Sequence, residues 1–248
     1  MRDKYELAKV AGELRRRLGE DDHSRIDVFQ LAYTIEPLTL VFYPMGDRIS
    51  GMCFKGAEDV LIAINSKMTY GRQRFSMAHE LYHYYYDDMS TIICAQDISE
   101  KSDIERNANT FASFFLAPPV ALSAVIKELK TGRKALDVSD IVKLEQFFGI
   151  SRQAMLVRLI DEGEIKPDDA EKMRTNVISH ALSLGYSDTL YCPLPEEKSR
   201  MTYGRYIKRA EELLERGLIS DGKYEELLLE AFRADLVYGV EEGGELVD

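Results

Sequence analysis

The sequence predicts an α+β fold, a small three-stranded sheet flanked by helices and followed by an all-α C-terminal region. Three observations carry this prediction. Apolar residues recur at helical spacing at the start of the chain and again over 70–87. Three short β-prone runs lie between these stretches, separated by Gly and charged turns. Beyond about residue 120 only helical patterns follow, punctuated by Gly and Pro.

Residues 3–18 place Tyr5, Leu7, Ala8, Val10, Ala11, Leu14 and Leu18 at near-helical spacing, with Arg15, Arg16 and Arg17 at the end that suits cations. A second short amphipathic helix is expected over 26–35. Leu38 to Tyr43, Ile49 to Phe54 and Val60 to Ile64 are the three strands. Helices follow over 70–87 and 102–117, the latter stopped by Pro118 and Pro119. Asp140 to Phe148 forms a helix broken by Gly149, and Ser151 caps the next, Arg152 to Glu162. The stretch 166–190 reads as helix with a terminal loop. Cys192, Pro193 and Pro195 mark 191–203 as a connection, and helices over 204–216 and 221–236 surround a turn at Gly217–Gly222. The acidic tail EEGGELVD is expected to fray.

The 248 residues are long enough to bury a core without disulfide or metal staples, so a bound metal would serve chemistry rather than folding. With 32 basic and 43 acidic residues the net charge is −11, which disfavours nucleic acid as the main substrate. Cys53, Cys94 and Cys192 are far apart and form no CxxC pair, which implies reduced thiols and a cytoplasmic location. The N-terminus lacks the apolar stretch of a signal peptide, and no apolar run reaches the length of a membrane span.

The chemistry concentrates in Met77-Ala78-His79-Glu80-Leu81-Tyr82-His83. Two histidines at i and i+4 share one helical face, so their imidazoles can converge on one Zn²⁺. Glu80 projects beside the metal, where it can accept a proton from the attacking water and return it to the leaving amine. A chance HExxH on an ordinary helix is the bland alternative. Against it, the chain has only four histidines, two of which fall here. A catalytic zinc usually has a third protein ligand. On the next helix, Glu105 shares a side with Ala108 and Ala112, and a carboxylate facing a core needs a partner or a metal. Otherwise Glu105 is a first-turn acid favoured by the helix dipole. Asp103, on a different face, is the alternative ligand.

These blocks together resemble the ImmA/IrrE family of metallopeptidases. The matching residues are Arg72-Gln73-Arg74-Phe75-Ser76 leading into the motif, Glu105 to Ala112, Leu116-Ala117-Pro118, and upstream Ile49 to Met52 and Ile62 to Asn65. The resemblance spans roughly 5–165. It implies a gluzincin-like cytoplasmic zinc endopeptidase with ligands His79, His83 and Glu105 and general base Glu80. It further implies a protein substrate, a helix-turn-helix transcriptional repressor. Two positions depart from the family pattern: Tyr82 replaces a common Gly and is expected to narrow the cleft, and Asn107 stands where an acid is frequent.

The expected organisation is a metallopeptidase domain over 1–125, a helix-turn-helix-like segment over 126–165 and a helical C-terminal region over 166–248. Within 139–162 two helices meet at Gly149-Ile150-Ser151, and Arg152, Gln153 and Arg158 would be the DNA readers. Few cations are available there, so packing or partner docking is favoured over DNA. A non-catalytic regulator binding a repressor or DNA through this segment is the rival reading. Tyr82, Tyr84, Tyr85 and Tyr86 are read as packing residues, although one could serve an oxyanion. His180 reads as a surface or capping residue and His23 as solvated. Lys198, Arg200, Arg205, Lys208 and Arg209 read as a solvated helix face.

Overall fold

The structure, a computed structural model, describes residues 3–87, 91–95 and 103–239. The predicted frayed tail lies outside the described residues. Helix α1 (Lys4–Arg17) and α2 (Val28–Thr34) precede β1 (Leu38–Tyr43), β2 (Ile49–Lys55) and β3 (Val60–Asn65). The motif helix α3 (Tyr70–Tyr86) follows, then β4 (Thr91–Ala95) and α4 (Asp103–Leu116). Next come α5 (Pro119–Leu129), α6 (Val138–Phe148), α7 (Arg152–Asp161), α8 (Pro167–Lys172) and α9 (Val177–Ser183). Strand β5 (Met201–Gly204) precedes α10 (Arg205–Glu215), α11 (Asp221–Glu230) and α12 (Ala234–Tyr238). Among the described residues no single helix is long and apolar enough to cross a membrane.

The α+β class holds, but the sheet is larger than three strands. Its order is β4-β2-β3-β1-β5. Strands β1 and β3 run parallel, whereas β2 pairs antiparallel with β3 and β4, and β5 antiparallel with β1. The all-helical expectation beyond residue 120 fails at β5, which lies in the stretch read as a connection. A four-residue strand is too short to show a period of two, and its partner on β1 is some 160 residues away in sequence. Gly204 pairs with Thr39 at φ 85°, and a Cβ there would meet the Leu38 carbonyl at 2.4 Å, so this end of the pairing requires glycine. The single helix read over 166–190 is two, α8 and α9, parted at Asn176, which takes the left-handed conformation at φ 54°.

The core runs from α1 through the sheet to α8, and its centre is the α3–α4 pair. Met77, Ala78 and Leu81 on α3 and Ala108, Phe111, Ala112 and Phe115 on α4 have no exposed surface. Arginines tie this pair to its surroundings. Arg15 on α1 donates to the carbonyls of Phe115 at 2.6 Å, Ser24 at 2.8 Å and Asp21 at 2.5 Å. Arg74 on α3 donates to Gly149 O at 2.8 Å and Ile26 O at 2.5 Å. Each guanidinium satisfies carbonyls that loop ends would otherwise bury unpaired. The motif helix is thereby held at several points before any ligand arrives.

Candidate metal centre

Helix α3 is buried along most of its length, so its polar residues face protein rather than water. His79 and His83 lie one turn apart on the side that meets α4, and their rings are 4.8 Å apart. Their Nε2 atoms approach to 3.0 Å. Glu105 on α4 completes the group: its carboxylate lies 3.3 Å from His79 Nε2 and 3.4 Å from His83 Nε2. One ligand atom from each residue lies within 4.8 Å of the others, a spacing that can hold a metal ion.

The residues behind the ligands orient them. His79 Nδ1 donates to Asn109 Oδ1 at 3.0 Å, and His83 Nδ1 donates to Asp87 Oδ2 at 3.1 Å. A proton held on Nδ1 by an acceptor leaves Nε2 with a lone pair. Two lone pairs and a carboxylate therefore point at one spot, an arrangement that a cation resolves. Burial pushes the Glu105 carboxyl up, but His79 and His83, when their imidazoles carry a second proton on Nε2, outweigh it by hydrogen bonds and charge and hold it well below the usual carboxylate range. Lys55 on β2 donates to the carbonyls of His83, at 3.1 Å, and Asp87, closing the C-terminal end of α3.

Glu80 is fully buried and faces β2. The strand admits it at Gly51, where an added Cβ would lie 2.7 Å from Glu80 Oε1. The β2–β4 register shifts between Ile49 and Gly51, so the strand is irregular where the carboxylate meets it. Ser50, the neighbouring residue, lines a cleft of about 760 Å³ whose wall also includes His79, Glu105 and Asn109. The cleft runs outward past Phe75 and Phe114 to α7.

The structure brings His79, His83 and Glu105 together, and it buries Glu80, the residue after His79, against Gly51 of β2. Asp103 instead pairs with Arg106 at an exposed position. Tyr82 does not narrow the cleft. It is 3% exposed and packs on Phe111 at 5.4 Å and Tyr86 at 5.6 Å, with its ring 5.9 Å from that of His83. A residue three positions after His79 and one before His83 turns to the core side of the helix, and a bulky ring there fills core volume. Asn109, Asp87 and Gly51 were not singled out from sequence. The first two carried a signal, since each lies one turn beyond a ligand, Glu105 and His83. Gly51 carried none without its pairing to the helix.

The three proposed base readers of the helix-turn-helix-like segment are engaged within the protein. Arg152 is 4% exposed, pairs with the fully buried Glu145 and donates to Met173 O at 2.7 Å. Tyr191 OH donates to the same Glu145 at 2.7 Å. Arg158 lies over the Phe114 ring, 4.2 Å from its centroid, and donates to Glu162 and Ser113. Gln153 accepts from Arg174 at 2.5 Å. His180 on α9 is not among the cleft residues, and His23 is exposed.

A search of curated proteins finds no match. Residues 44–160 match the family model Peptidase_M78, described as the IrrE N-terminal-like domain. That segment, a little under half of the chain, holds β2, β3, the motif helix and Glu105, and over it the chain is similar to the IrrE N-terminal-like peptidase domain.

Proposed function

We propose that the protein is a zinc-dependent endopeptidase acting on a protein substrate, a helix-turn-helix transcriptional repressor. The observation that carries the peptidase reading is the convergence of His79, His83 and Glu105, two of which, His79 and Glu105, line the cleft, while Glu80, next to His79 on the same helix, is buried against Gly51. The set fits zinc by donor chemistry, two imidazoles and a carboxylate, and the count of three leaves a position for substrate or water. A zinc ion held there supplies a Lewis acid that acidifies water and polarises the scissile carbonyl. Glu80 accepts the proton of the attacking water and delivers it to the leaving nitrogen. Asn109 and Asp87 keep the imidazole Nε2 atoms unprotonated and aimed. The repressor as substrate rests on the family resemblance, and the occupied side chains of α7 favour a protein over DNA as the partner.

The test is Glu80→Gln. The zinc-loaded protein is incubated with a panel of helix-turn-helix repressors, and fragments are read by mass spectrometry. Wild type is expected to cut and Glu80→Gln to lose about 10²–10⁴-fold in rate, the contribution of a positioned general base, while metal analysis shows zinc retained. Undiminished cleavage by the zinc-bound variant would remove Glu80 from the mechanism.

A further inference from the structure

The cleft wall carries more charge than hydrolysis needs, and nearly all of it is neutralised locally. Lys4 pairs with Asp161 at 3.3 Å, Arg158 pairs with Glu162 at 2.8 Å, and Glu105 lies against the two histidines. Arg72 is the exception. Among the described residues its guanidinium has no hydrogen-bond or ion-pair partner, although it lines the same cleft. The residue is exposed on the cleft side of α3, and partial desolvation by the wall draws its pKa down with no described carboxylate nearby to restore it. It also stands in the first turn of α3, where the helix dipole gives a cation no support. Arg72, Ser76 and His79 all line the cleft, and their i, i+4, i+7 spacing puts them on one face of the helix.

We propose that Arg72 is a specificity-determining residue that selects an acidic side chain in the peptide bound along the cleft. Seven residues of helix separate it from His79, about 10 Å along the axis. That distance equals about three residues of extended peptide. The selected Asp or Glu therefore lies about three residues from the scissile bond. The planar guanidinium suits a carboxylate in a two-pronged pair, and the partly shielded cleft strengthens it. Phe75 and Phe114 line the same cleft and offer apolar surface to the carbon stem of the bound side chain.

The cleavage side of this proposal rests on the peptidase reading, so binding and cleavage are measured separately. The probes are fluorescein-labelled random decapeptide pools with Glu, Gln or Lys fixed at one position at a time. Binding is read by anisotropy on the zinc-loaded Glu80→Gln protein. Glu pools are expected to bind about tenfold tighter than Gln pools at one register, the size of a single charge-assisted pair. Arg72→Gln should bring the two to parity, and Arg72→Glu should transfer the preference to the Lys pools. A reversal of preference is something that mere loosening of the fold does not produce. Parity with Arg72 intact, or an acid preference surviving Arg72→Gln, overturns the proposal. The same pools are then given to the Glu80-intact protein. If bound pools are not cut, the peptidase reading fails while acid selection by Arg72 stands. If they are cut, the acid is expected about three residues from the cut, and its even distribution overturns the assignment.

Discussion

Single side chains decide how the centre works, and several of them are not ligands. Asn109 and Asp87 each hold one imidazole by its Nδ1 proton. Asn109→Ala is expected to weaken zinc binding by about 10–100-fold, the usual cost of losing such a partner, while leaving the fold intact. Competition with a chromophoric chelator measures it, and unchanged affinity would mean that His79 keeps its tautomer without help. Gly51 acts by what it lacks. A methyl group there would lie 2.7 Å from Glu80 Oε1 and 3.2 Å from the Ala63 carbonyl, so the carboxylate must move. Gly51→Ala is expected to lower kcat by about tenfold or more, part of what a positioned base supplies, with zinc content unchanged. A variant cutting at the wild-type rate would show that Glu80 relaxes without cost.

Helices and strands decide which of these side chains meet. The pairing of α3 with α4 brings Glu105 to the histidines, and the packing of α3 on β2 brings Gly51 to Glu80. Helix α7 looks like a DNA-reading helix in sequence but serves as the outer cleft wall, with Arg152 turned inward onto Glu145. Arg152→Ala strands a carboxylate that is fully buried, and such losses cost about 3–5 kcal/mol. Urea unfolding should show that loss. If Arg152→Ala instead leaves stability unchanged and abolishes salt-dependent DNA retention, α7 reads DNA after all. The helical reading of 139–162 was legible because Gly149 and Ser151 are local stop and start signals. Where its arginines point was not, because either face of a short helix can bury a long aliphatic stem.

The entire chain decides where the sheet ends. Strand β5 comes from residues far beyond the family-matched segment and covers the outer edge of β1. A chain cut after residue 165 keeps the three ligands and Glu80 yet loses β5. It should expose the β1 edge, which carries the buried Leu40 and Phe42, and an open apolar edge invites pairing between copies. Light scattering is expected to show association of the truncated chain, and thermal unfolding a lower midpoint. A monomeric truncated protein with the full-length midpoint would show β5 to be dispensable.

Sequence reasoning reached the features that are local in the chain. Two histidines four apart share a face because of the helical period, and three alternating or apolar runs bounded by Gly form strands because their turns are short. Glu105 was reachable too, because small neighbours at i+3 and i+7 mark the side of its helix that packs closely. What tertiary structure alone decided depends on contacts between distant segments. These are the β1–β5 pairing, the seat that Gly51 leaves for Glu80, the inward turn of Tyr82 and Arg152, and the lack of a partner for Arg72 among the described residues. Such contacts are selected by packing and by the need of buried polar groups for partners, and neither leaves a periodic trace in the sequence.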